Sequence, residues 1–285
     1  MFFWILFSNF VVCFGRIDML ITDMELLKAN PMTSENVTEQ TLQSIVFDEW
    51  SKIVGLCPGL DINANIQAQF DYSLVSTSTL AWASHTLLLK DFVWVPSIAT
   101  IDYVGYDFII GVNPSPVNGW HIGENCSDVS YRYDLRTVLR HEMLHGIGIG
   151  SSIRKSGSTW SVGHEFSGMC FPRYYDTLIE DREGNTVVDG CTFKKNLDGE
   201  NIYINGVKLF NPTTYYAGSS ISHHVYSGDL LYWQLPAMKC IQMQDKEFKI
   251  LSQLGLDCLD SSQLPSNQYY PFLFLIPLAL AVFLF

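Results

Sequence analysis

Apolar residues recur with a helical period over residues 37–54. Leu42, Ile45, Val46, Trp50, Ile53 and Val54 follow i, i+3, i+4 spacing, which predicts an amphipathic helix with one buried face. Asn36 and Glu39, three apart at its start, form a candidate capping pair. Between 91 and 113 the pattern becomes that of strands, first Phe92-Val93-Trp94-Val95 and then Tyr106 to Val112. The turn formers of 113–120 follow, from Asn113-Pro114 to Gly119-Trp120. A second helix is predicted from Asp134, a candidate N-cap, with Leu135, Val138 and Leu139 as its apolar stripe. Gly146, Gly148 and Gly150 are placed to end it. Beyond 150 the chain reads as irregular with hairpins, the clearest over 202–209 around Asn205-Gly206. No repeat or Pro/Gly/Ser-rich linker divides it. The pattern predicts an α+β fold in which a helix, a twisted sheet and a second helix precede an irregular C-terminal lobe.

The two ends read differently. Residues 2–14 are apolar and uncharged, too few to span a bilayer and of the length of a secretory signal core. Residues 1–15 are therefore expected to be a signal peptide cut after Gly15, against the alternative of a buried first element. Residues 271–285 form a second apolar run, preceded by a polar spacer, Gln263 to Tyr270, and by Asp260-Ser261-Ser262. That order matches a GPI-anchor signal with attachment at Asp260 or Ser261. A tail-anchored helix competes, but the run is short and holds two prolines, Pro271 and Pro277. The expected organisation is an extension over 16–36, one domain over 37–260 and an anchor signal over 261–285. The expected location is the secretory pathway and the cell surface, with the membrane reached through a lipid anchor.

Cysteine usage fits that route. Of seven cysteines, Cys13 falls in the leader, and the other six are dispersed without a Cys-x-x-Cys pair. Three disulfides are expected. Nearness in sequence favours Cys170–Cys191 and Cys240–Cys258, leaving Cys57–Cys126. Asn36-Val37-Thr38 and Asn125-Cys126-Ser127 are N-glycosylation sequons, at Asn36 and Asn125. A net charge of −12, from 17 basic and 29 acidic residues, leaves no basic stripe, so nucleic acid is not an expected partner.

Chemistry concentrates in His141-Glu142-Met143-Leu144-His145. On a helix, the two histidines stand one turn apart on one face, where both can bind one Zn2+. Glu142 between them is placed as general base toward a metal-activated water. The competing reading is a helix whose histidines face solvent.

The order of these segments resembles the zincin group of zinc metallopeptidases, in a metzincin-related branch with His-Glu-x-x-His-Gly-x-Gly. Trp50, Trp120, Asp134-Leu135-Arg136-Thr137-Val138, Tyr175-Asp176 and Gly218-Ser219-Ser220-Ile221-Ser222-His223 carry the resemblance over roughly residues 40 to 235. It implies a zincin-like two-lobed domain with an active-site helix. Two departures stand out. Where metzincins place a third histidine, six residues past the second, this chain has Ser151. His223 is then the preferred third ligand, with His224 as alternative and His164, Glu165 and Asp176 behind them. His121 reads as structural. The methionine of the metzincin turn is replaced within Asp229-Leu230-Leu231-Tyr232, at Leu231 or Tyr232. Residues 16–35 hold no cysteine for a cysteine-switch propeptide.

Two functions follow as expectations. In the first, zinc on His141, His145 and His223 works with Glu142 to hydrolyse peptide bonds of a protein or peptide substrate. Tyr226 or His224 are candidates to stabilise the oxyanion. In the second, the scaffold persists as a catalytically weak or inactive surface interaction protein.

Overall fold

A computed structural model describes residues 37–61, 64–99 and 105–259. The expected signal peptide, the extension, the Asn36 sequon and the anchor signal with Asp260 and Ser261 lie outside the described residues.

Helix α1 spans Glu39–Leu56. Its cap is Thr38, whose hydroxyl accepts the Thr41 amide at 3.1 Å; Asn36 is outside the described residues. Leu42, Ile45, Val46, Trp50 and Ile53 are buried, as the spacing predicts. Glu49 is buried among them, which apolar periodicity alone does not foresee.

Five strands follow: β1 (Ile66–Phe70), β2 (Ala81–His85), β3 (Leu87–Lys90), β4 (Val93–Pro96) and β5 (Phe108–Val112). β5 lies between β1, to which it is parallel, and β2, to which it is antiparallel. β3 and β4 form a separate hairpin. Two of these strands match the predicted runs at 92–95 and 106–112. β1 was not predicted, although Ile66-Gln67-Ala68-Gln69-Phe70 alternates with period two.

Helix α2 spans Leu135–Ile147 and packs against both α1 and the sheet. Asp134 caps it, accepting the Thr137 amide at 2.9 Å. Trp50 meets the ring of Phe108 edge-on at 5.7 Å, and Leu135, Leu139, Met143 and Leu144 are fully buried around them. Each such side chain contributes roughly 1.5–3 kcal/mol through burial. Charge is buried in the same joint. Glu49 accepts from Arg136 at 2.8 Å and lies 3.1 Å from Arg140, which is also 3.7 Å from Asp134.

The rest is hairpins and loops, with a short helix α3 (Tyr174–Thr177) and a longer α4 (Asp245–Gln253). The apolar pattern predicts no helix at α4. Its signal was a capping box, in which the Gln244 amide donates to Glu247 at 2.8 Å. The whole is a mixed α+β fold with small sheets.

Three disulfides join Cys57 to Cys258, Cys126 to Cys240 and Cys170 to Cys191. The expected Cys57–Cys126 and Cys240–Cys258 pairs are corrected, because sequence nearness is not spatial nearness. The end of α1 meets the end of the domain, where the Leu259 amide donates to the Leu56 carbonyl at 2.7 Å. Residues 238–241 cross the 126–137 segment, where Met238 bonds to Arg132 at 2.8 Å. Such a set marks a chain of an oxidising compartment. Among the described residues, no helix is long and apolar enough to cross a membrane.

Candidate metal centre

One turn of α2 brings His141 and His145 to one face, and the following backbone keeps them there. Gly146 has no Cβ because one would lie 2.4 Å from the Phe108 ring; the glycine lets α2 lie directly on β5. Gly148, at φ +122°, ends the helix.

The third imidazole arrives from 78 residues farther on. His145 and His223 place their Nε2 atoms 3.2 Å apart, while His141 lies 3.1 Å from each of them. His223 is aimed by an unusual backbone. Ile221 adopts φ +71°, rare for a β-branched residue. Its amide donates to Phe210 at 2.7 Å, and its carbonyl accepts the Tyr175 hydroxyl at 3.0 Å.

Each ring is fixed through its other nitrogen. His141 Nδ1 is 2.7 Å from the Leu230 carbonyl, His145 Nδ1 is 2.5 Å from that of Ile149, and His223 Nδ1 is 2.8 Å from that of Ser219. A carbonyl only accepts, so each Nδ1 carries the proton and each Nε2 presents a lone pair. Three lone pairs facing one point repel one another unless a cation lies between them. Nitrogens about 2.0–2.1 Å from a tetrahedral zinc stand about 3.3 Å apart, close to the separations found. The three histidines form a group able to hold a metal ion.

The rings are uncharged as a ligand set requires. Burial pushes His141 down to about 3 and His145 to about 4, and lowers His223 strongly. Neighbouring imidazoles add to the shifts of His141 and His223. Burial pushes Glu142 up to about 8, so without a nearby cation it holds its proton at neutral pH.

The other named residues are placed elsewhere. His224 is fully buried and turned to Asp229 and Glu247, with Nδ1 3.4 and 3.6 Å from their oxygens; the alternative ligand role is corrected. Asp176 accepts from Ser151 at 2.6 Å and from the Ser152 amide at 3.1 Å. His164 accepts from Arg173 at 3.2 Å, and Glu165 is exposed beside it. Tyr226 is 55% exposed, under the ammonium of Lys246. His121 is buried on a two-residue strand beside Trp120. Asn125 is exposed and caps a short turn. In the Asp229–Tyr232 segment, Leu230 and Leu231 are fully buried, and the Leu230 carbonyl is the one that orients His141. The carbonyls of Leu230, Ile149 and Ser219 had no signal in the sequence, because any residue type supplies one. No protein-family model, curated protein or solved structure matches this chain.

Proposed function

We propose that this protein is a surface-anchored, zincin-type zinc metalloendopeptidase. The observation that carries the reading is the triangle of Nε2 atoms at 3.1–3.2 Å, each ring held by an Nδ1–H to a backbone carbonyl. All-imidazole donor sets with neutral rings suit zinc among the common divalent ions. His141, His145 and His223 would hold the ion, which would supply Lewis-acid polarisation of a carbonyl and a water of near-neutral pKa.

Glu142 supplies the proton handling. It follows His141 directly and is no part of the nitrogen triangle, so its carboxyl is free for chemistry. A dication nearby offsets the burial that raises its pKa and returns it to the ionised form a base requires. Glu142 would then accept the proton of the attacking water and deliver it to the leaving amine. A peptide substrate fits the sheet edge: among the described residues β2 pairs with β5 on one side only, and β2 packs on α2. An extended chain can add along such an edge through main-chain hydrogen bonds. Surface anchoring rests on the apolar run 271–285 behind its polar spacer, and the three disulfides support passage through an oxidising compartment.

The test is metal content and cleavage measured together on the mature protein. About one zinc per chain is expected, with cleavage of an unfolded protein substrate that falls by about 10²-fold or more in Glu142→Gln while zinc is kept. Zinc without cleavage in the wild type supports the inactive-scaffold reading instead. No bound metal, or a Glu142→Gln variant as active as wild type, refutes the peptidase.

A further inference from the structure

A cavity of about 350 Å³ opens between the 203–208 hairpin and α4, on elements other than those that carry the three histidines. Lys208, Lys246, Lys249, Tyr203 and Tyr226 line it. The fold brings them together from three directions. Tyr203 and Lys208 are a cross-strand pair, so their side chains leave the same face of the hairpin. Lys246 and Lys249 are three apart on α4 and share a face of it. The hairpin turn is tied to that helix, with Asn205 Nδ2 donating to the Lys249 carbonyl at 3.4 Å. Tyr226 closes the third side, its ring 4.7 Å from the Lys246 ammonium.

The charge balance of this cavity is opposite to that of the protein. The chain carries −12 overall with only 17 basic residues, yet three lysines line this one cavity. One of them is neutralised: Lys246 donates to Asp229 at 2.6 Å. Among the described residues, Lys208 and Lys249 make no ion pair. Like charges gathered round one cavity repel, and that repulsion is relieved by an anion between them. Lysine ammoniums are compact three-donor cations suited to oxyanions, and tyrosine hydroxyls donate to the same oxygens. The volume exceeds that of a bare oxyanion, which leaves room for the body carrying it, with two aromatic rings as walls.

We infer that this cavity binds a phosphate- or sulfate-type oxyanion, held by Lys208, Lys249 and Lys246 with the hydroxyls of Tyr203 and Tyr226. This assignment is independent of the metal centre.

Calorimetric titration of the mature protein with inorganic phosphate and with sulfate tests it, beside Lys208→Ala/Lys249→Ala and Lys208→Arg/Lys249→Arg variants. Saturable binding is expected, weakened about tenfold or more by the double alanine change, largely kept by the arginine change, and weakened by added sodium chloride. Co-sedimentation with phosphatidylcholine vesicles, with and without a phosphoinositide, separates the sources. Retention on phosphoinositide vesicles that phosphate competes away identifies a lipid headgroup. Binding of phosphate with no vesicle retention identifies a soluble ligand. Single Lys208→Gln and Lys249→Gln changes carry the same test if the double alanine variant does not fold. No saturable binding of any probe, or binding that the lysine changes leave untouched, overturns the assignment.

Discussion

Ser151 donates its hydroxyl to Asp176 at 2.6 Å, six residues past His145. The serine holds the loop that leaves α2. Its amide also donates to Ser222 Oγ at 3.0 Å, next to His223. Asp176 accepts in addition from the Ser152 and Arg173 amides, at 3.1 and 3.2 Å. One buried carboxylate thus ties the end of α2 to α3, and Ser151 ties both to the segment that carries His223.

Asp176→Ala should therefore cost about 3–5 kcal/mol of stability, because its donors lose a shared buried acceptor. Ser151→Ala removes one hydroxyl bond and should cost only about 1 kcal/mol. Denaturant unfolding of the two variants checks the order; equal small effects would show that Asp176 is not the tie. Metal affinity should fall about 10–100-fold in Asp176→Ala, as when a support behind a ligand is lost.

The joint between α1 and α2 makes a second prediction. Glu49 is fully buried with Arg136 at 2.8 Å and Arg140 at 3.1 Å. Glu49→Ala leaves two guanidiniums in the interior and should destabilise by about 3–5 kcal/mol. Glu49→Gln keeps the shape and should cost less. Because both arginines lie in the two turns before His141, the alanine variant should also bind metal less tightly. Unchanged thermal unfolding in Glu49→Ala would show the pair to be dispensable.

Local signals carried much of this architecture. The α1 stripe, the Asp134 cap and the spacing of His141 and His145 depend on residues a few positions apart, and all were legible. His223 was reached through a segment resemblance rather than through geometry, since nothing local shows that Ile221 takes a left-handed turn. The pairings of Cys57 and Cys240 differ from those that sequence nearness predicts, for the related reason that contacts between distant segments leave no mark on either one. Glu49 was hidden inside an apolar stripe, its partners 87 and 91 positions later. The start of α4 is marked locally by Gln244 and Glu247, a capping pair that the apolar pattern alone does not bring out.

Removing metal should make the protein acid-sensitive. In the folded, metal-free protein, burial holds His141 near 3 and His145 near 4, while in the unfolded chain both sit near 6.5. Between those values the unfolded state binds more protons, so stability is full above about 6.5 and is lost as pH falls toward about 4. Each histidine contributes a slope of at most about 1.4 kcal/mol per pH unit. Glu142, raised to about 8, acts in the opposite sense: its contribution is present below about 4.5 and is lost as pH rises toward 8. Unfolding of chelator-treated protein across pH 4–7 should show the acid loss, and His141→Gln/His145→Gln should flatten it. A slope unaffected by the double variant would assign the acid loss to other groups.

The two adjacent histidines should separate cleanly by substitution. His223 points its Nε2 at His141 and His145, whereas His224 lies with Asp229 and Glu247, its backbone amide bonded to the Leu231 carbonyl at 2.7 Å. Two imidazoles alone hold zinc poorly, and among the described residues no other His, Cys, Asp or Glu joins that group. His223→Ala should therefore raise the zinc dissociation constant by about 10²–10³-fold, with little effect on the fold beyond the lost metal. His224→Asn should do the reverse. Zinc affinity should change by less than about tenfold, while stability falls because two buried carboxylates lose the imidazole between them. Chelator competition gives the first quantity and denaturant unfolding of the metal-free variants gives the second. Zinc loss on changing His224 and not His223 would overturn the ligand set, because the two side chains leave the backbone toward different clusters.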